Sequence, residues 1–160
     1  MPNPLALFLR DHEAAGRAGL DLVRRAAKNQ RKRPWADDLR ALADEAREDL
    51  SSLQLLMRRL GVAPDPVLGT ALRLGERAGR LKPNGHLLRR APLSDLVEVE
   101  GVISATVLKA AGWSALDAAR VVTDGDPDLP ALLARADDQL QRLRGVHRTV
   151  AASTLPAVAA

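Results

Sequence analysis

The stretch FLRDHEAAGRAGL, residues 8–20, places a histidine where an amphipathic helix would carry a leucine. At 100° per residue Leu5, Phe8, Leu9, Gly16, Gly19, Val23 and Ala26 share one face, and His12 falls in its middle. Asp49, Glu100 and Gln139 also fall at inward positions of periodic segments. Pairing the two halves of the chain sets His12 over Glu100 and Asp49 over Gln139. One imidazole with two carboxylates suits a mononuclear Fe, Mn or Zn site, with Gln139 as outer partner. The same groups would also satisfy one another by hydrogen bonds without any metal. An imidazole left unpaired among leucines costs about 1 to 3 kcal/mol, so either reading predicts a buried His12 bonded to Asp49 or Glu100.

Four segments with a 3.6-residue apolar period must position these groups. They are predicted as helices over about 3–28, 35–60, 94–122 and 128–150. The connector NQRKRP makes the first two an antiparallel hairpin, and Gly61 caps the second. The third is expected to bury Leu96, Val97, Glu100, Ile103, Ser104, Val107, Ala111, Ala115, Ala118 and Val122. The fourth opens with Pro130 in its first turn and turns Leu132, Leu133, Ala136, Leu140, Leu143, His147 and Val150 inward. Residues 61–93, rich in proline and glycine around PVLGTALRLGERAGRL, read as a long crossover with a minor helix. The fold class is therefore all-α, one four-helix domain over 1–150 with a frayed tail over 151–160.

Two helical hairpins joined by a long connection resemble the ferritin-like superfamily of diiron carboxylate bundles, and more closely a small bacterial group with an Asp-His pair in the first helix. The resemblance covers about residues 3–150. It implies a Glu from each of helices one and three and a Glu-x-x-His pair from each of helices two and four. Carried over by position, His12 replaces the first Glu and Glu100 is kept, while Ala46 and Asp49 stand in helix two and Ala136 and Gln139 in helix four. Losing both Glu-x-x-His glutamates removes the bridging ligands of a dinuclear site. The resemblance thus implies a degenerated centre in a non-catalytic structural or interaction module without a cofactor. The alternative is an oxidoreductase or metal-storage protein holding a single Fe, Mn or Zn ion at His12, Asp49, Glu100 and Gln139.

Basic residues suggest a different partner. RRAAKNQRKR carries Arg24, Arg25, Lys28, Arg31, Lys32 and Arg33 with no acid, and Arg73, Arg77, Arg80, Lys82, Arg89 and Arg90 form a second group. Such clusters can neutralise the phosphates of DNA or another polyanion. No aromatic interleaves them for base stacking, and a net charge of +4 is modest, so a solvated surface is the competing reading. Asp11, Glu13, Glu45, Glu48, Glu98 and Asp137 fall off the inner faces and are expected in solvent, with Glu45 and Asp137 nearest the rim as reserve ligands. His147 is expected to cap carbonyls near its helix end, and Trp35 and Trp113 to seal the bundle.

Composition sets the remaining bounds. The 160 residues suffice for a core without staples, and the absence of cysteine excludes disulfides, thiolate nucleophiles and sulfur-bound zinc. Only 2% of residues are aromatic against 46% hydrophobic, so Leu, Ala and Val build the interior and favour helices. LALFL is too short for a signal-peptide core, and no apolar run reaches membrane-spanning length, which predicts a cytoplasmic protein with no membrane insertion. Neither a serine triad nor a phosphate loop has the required sequence context. A homo-oligomer is compatible with this surface.

Overall fold

The computed structural model describes residues 3–65, 93–122 and 127–155. Four helices account for nearly all of them: α1 (Pro4–Asn29), α2 (Ala36–Arg59), α3 (Ser94–Ala118) and α4 (Leu129–Thr154), with no strand among the described residues. Asn3 starts α1 by accepting the Leu5 amide at 3.0 Å, and Asp128 starts α4 by accepting the Ala131 amide at 3.0 Å. Each has a proline in its first turn, where no amide partner is lost. Helix α2 closes as expected at Gly61, whose φ of +67° lets Val62 N donate to Met57 O at 2.8 Å.

Polar contacts fix the direction of every neighbouring pair. Gln54 reaches Glu13, and Arg10 reaches the Ala63 carbonyl, so α1 and α2 are antiparallel. Asn29 meets Glu98 at one end of α1 while His12 lies against Gly112 towards the other, which makes α1 and α3 antiparallel. Lys109 to Gln139 and Glu100 to His147 set α3 against α4, and Glu45 to Arg142 sets α2 against α4. Helices α2 and α3 therefore run parallel, and the end of α2 and the start of α3 lie at opposite ends of the bundle. Residues 66–92, which include the expected minor helix, His86 and the second basic group, lie outside the described residues.

The core falls into two apolar clusters. One gathers Val23, Ala26, Trp35, Leu39, Val99, Leu143 and Val150; the other gathers Leu9, Leu53, Met57, Trp113, Leu116, Leu129 and Leu132. Both tryptophans are buried, as expected. Trp35 Nε1 donates to Gln30 Oε1 at 2.6 Å, and Gln30 Nε2 reaches the Asp95 carbonyl at 3.2 Å, so one corner ties the α1–α2 turn to the start of α3.

The expected face of α3 requires correction. Asp95, Leu96, Val99, Val102, Thr106, Gly112, Trp113 and Leu116 are buried, whereas Val97, Glu100, Ser104 and Val107 are exposed. Valine, alanine and leucine occupy every side of this helix, so its periodicity does not select a face. Trp113 and the small residues facing α1 do. The helix also stops at Ala118 rather than 122, because Arg120 adopts φ of +51° and Val121 N turns back to Leu116 O. At the other terminus α4 continues to Thr154, past the expected start of the tail, with Val150 fully buried beneath it.

Candidate functional site

A polar layer lies at mid-bundle, near the meeting of the two apolar clusters. Asp49 of α2 and Gln139 of α4 are both buried, at 2% and 1% exposure, and Gln139 Nε2 donates to Asp49 Oδ2 at 3.2 Å. The sequence reading paired these two, and they do meet. The group it missed is Lys109 of α3. Its ammonium donates to Asp49 Oδ2 at 2.5 Å and also to Gln139 Oε1, holding a positive charge where the two side chains converge. Lys109 sits in a helix that is apolar on several sides, and only the true face of α3 reveals it as inward. The spacing Thr106-x-x-Lys109-x-x-Gly112-Trp113 carries that signal once Trp113 is taken as the core anchor.

The layer extends outward through α2 and α4. Gln139 Nε2 also donates to Glu45 at 2.9 Å, and Arg142 reaches Glu45 at 2.5 Å and Asp138 at 2.7 Å. Burial alone would raise the Glu45 pKa, but hydrogen bonds from Arg142 and Gln139 and the charges of Arg142 and Arg135 outweigh it, so the carboxyl lies below its ordinary value. Arg142 is correspondingly raised, first by its hydrogen bond to Glu45. Arg135 donates to Glu48 at 2.9 Å and stands 3.5 Å from Asp49 Oδ1 as an ion pair. Glu45 is thus partly buried in a network rather than solvated.

His12 and Glu100 do not join the layer. The His12 ring is half-buried, stacks on Phe8 with centroids 4.1 Å apart, and donates from Nδ1 to the Phe8 carbonyl at 3.1 Å. Its Cδ2–Nε2 edge lies against Gly112, where a Cβ would come within 2.5 Å of Cδ2. The glycine opens the space that the apolar face of α1 would otherwise deny an imidazole, and the expected bond to Asp49 or Glu100 is absent because a local carbonyl satisfies the ring first. Glu100 is exposed on the far side of α3 and pairs with His147 Nε2 at 3.2 Å, so His147 caps no carbonyl. Glu13, expected in solvent, is buried at 2% and held by Arg17 and Gln54. Asp11, Glu48 and Asp137 are exposed as expected. Among the described residues no group of three or more His, Cys, Asp or Glu could hold a metal ion.

Above and below the layer runs a narrow cavity of about 70 Å³, lined from Phe8 to Val23 on α1, from Leu42 to Leu53 on α2 and from Val102 to Leu116 on α3, with Gln139 from α4. Its walls are mainly apolar, with His12, Asp49, Thr106, Lys109 and Gln139 among the lining residues. Two buried polar atoms of the lining residues have no hydrogen-bond partner among the described residues: Asp49 Oδ1 and Trp113 Nε1.

The first basic group occupies the α1–α2 turn, where Arg24, Lys28, Arg31, Lys32 and Arg33 are exposed and Arg25 is partly buried. Arg33 is taken by Asp95 at 2.8 Å. No helix of the described residues is long and apolar enough to cross a membrane. Compared with protein-family models, curated proteins and solved structures, the chain matches none.

Proposed function

We propose that this chain is a non-catalytic, metal-free bundle of ferritin-like connectivity, a structural or interaction module in which a lysine takes the place that a metal ion holds in diiron relatives. The observation that carries the reading is the Lys109 ammonium between Asp49 and Gln139, the α2 and α4 positions to which the resemblance assigns ligands. A divalent cation at that point would face a resident cation and would have to displace it. The other two expected ligands are engaged elsewhere, His12 by the Phe8 carbonyl and Glu100 by His147. Parallel α2 and α3, with their consecutive ends at opposite ends of the bundle, support the connectivity with a long crossover.

Metal analysis of the full chain, purified without chelator from cells grown with added iron, manganese and zinc, tests the reading. Far less than one equivalent of any metal, and no oxidation of added ferrous iron above buffer, is the expected result. A full equivalent that disappears in Asp49→Ala would overturn it.

A further inference from the structure

We infer that one end of the bundle docks, end on, against the head groups of an anionic lipid bilayer. This goes beyond the scaffold role proposed above and does not depend on the absence of metal. The α1–α2 turn, the start of α3 and the end of α4 meet at that end. Arg33 on the Asp95 carboxylate and Gln30 on the Asp95 carbonyl join the turn to α3, while Val150 of α4 packs in one cluster with Ala26 and Trp35.

Charge sets the sign of the partner. Arg24, Lys28, Arg31 and Lys32 are exposed, and none of them pairs with a carboxylate among the described residues. Arg31 Nη1 instead reaches the Lys28 carbonyl at 3.3 Å, which draws two cations together. The acids of this end are engaged, Asp95 by Arg33, Glu98 by Asn29 and Gln30, and Asp37 by Arg40, so exposed Asp38 stands alone against the four cations. Between the turn and α3 lies an open groove of about 380 Å³, lined by Asn29, Arg31, Lys32, Arg33 and Asp95. It has room for a phosphate group beside two unpaired cations.

Apolar exposure sets the kind of partner. Leu93, just before α3, is 47% exposed, Val97 in its first turns 56%, and Leu155, just after α4, 52%. A nucleic-acid backbone or polyphosphate pairs with the cations and makes no use of these side chains. A bilayer uses both: anionic head groups meet the cations, and leucines settle at the boundary between head groups and acyl chains. No helix has to insert.

The test floats the full chain with vesicles of phosphatidylcholine, alone or with about 30 mol% phosphatidylglycerol, at about 0.1 M salt. Binding should require the anionic lipid. Exchanging Lys28, Arg31 and Lys32 for Gln should weaken it about a hundredfold, and Leu93→Ser with Leu155→Ser about tenfold. All five side chains are exposed, so circular dichroism should show both variants folded. In bicelles doped with a head-group spin label, the indole peak of Trp35 should broaden before that of Trp113, which lies twenty positions along α3 from Leu93, about 30 Å. If either variant fails to fold, the lipid comparison and the order of broadening decide. No binding to anionic vesicles, equal binding to phosphatidylcholine alone, binding unmoved by the leucine pair in a folded protein, or earlier broadening of Trp113 would overturn the proposal. Retention on a DNA duplex without retention on vesicles would assign the cations to nucleic acid instead.

Discussion

The two seams that join the helical hairpins are built by opposite means. Along α1 and α3 the contacts are small: Gly19 faces Ala105 and Gly101 takes the Leu22 side chain, where a Cβ would require its neighbour to give by a few tenths of an ångström, and Gly112 takes the His12 ring, which a Cβ would meet at 2.5 Å. Along α2 and α4 the helices stand further apart and are bridged by Glu45, Glu48 and Asp49 against Arg135, Gln139 and Arg142. A glycine seam fixes position by steric exclusion, which is insensitive to pH and salt. A charged seam fixes it by pairing, which is not. Lys109 belongs to the first seam by its helix and to the second by its partners, so it couples the two.

The largest expected effect follows from breaking that coupling. Lys109→Met leaves Asp49 buried with Arg135 3.5 Å away as its remaining cation, and should destabilise the bundle by about 3 kcal/mol, the lower part of the range for an orphaned buried charge. Replacing Asp49 by Asn in the same chain should return much of it, and chemical denaturation of the four proteins of the cycle measures the recovery.

At the glycine seam, Gly112→Ala should cost about 1 to 2 kcal/mol, because the new Cβ meets a ring held by Phe8 on its face and through Nδ1. In a His12→Ala background the same change should become stabilising by about 1 kcal/mol, the ordinary helical advantage of alanine over glycine. A thermal-melt cycle in which both backgrounds respond alike would remove His12 from the seam.

The charged seam should show itself in acid. The folded Glu45 carboxyl lies below its ordinary value of 4.5, so the unfolded chain binds more protons as pH falls. Its stabilisation is therefore complete above about pH 4.5 and is lost as pH drops through the lower folded value. Denaturation midpoints measured between pH 6 and pH 3 should fall less steeply in Glu45→Gln than in wild type. The smallest effect lies away from both seams: Arg120→Gly should stabilise by about 0.5 to 1 kcal/mol, relieving a left-handed residue at the end of α3. A lower melting temperature would contradict that assignment of strain.

The sequence made α1, α2 and α4 legible because each has one apolar stripe and an opposite polar face. Helix α3 was legible as a helix but not in its rotation, since Val97, Val99, Val102, Ile103, Val107 and Leu108 surround it and any of several faces reads as core. That single ambiguity put Glu100 inside and left Lys109 unnoticed. His12 misled for another reason: an intrahelical wheel cannot see that the facing helix offers a glycine. Asp49 and Gln139 were recoverable because leucines one turn on, Leu53 and Leu143, fix their faces without α3.

The contacts of Arg10 with the Ala63 carbonyl and of Gln30 with the Asp95 carbonyl give α1 a further role. They pin the chain on either side of residues 66–92 to two points twenty residues apart on α1 or its cap, so that helix acts as a ruler of about 30 Å for the segment between. A chain of that length, fully extended, reaches more than twice as far. Loop-closure entropy changes slowly with length, so a chain shortened by a third between those two points should keep the register of all four helices.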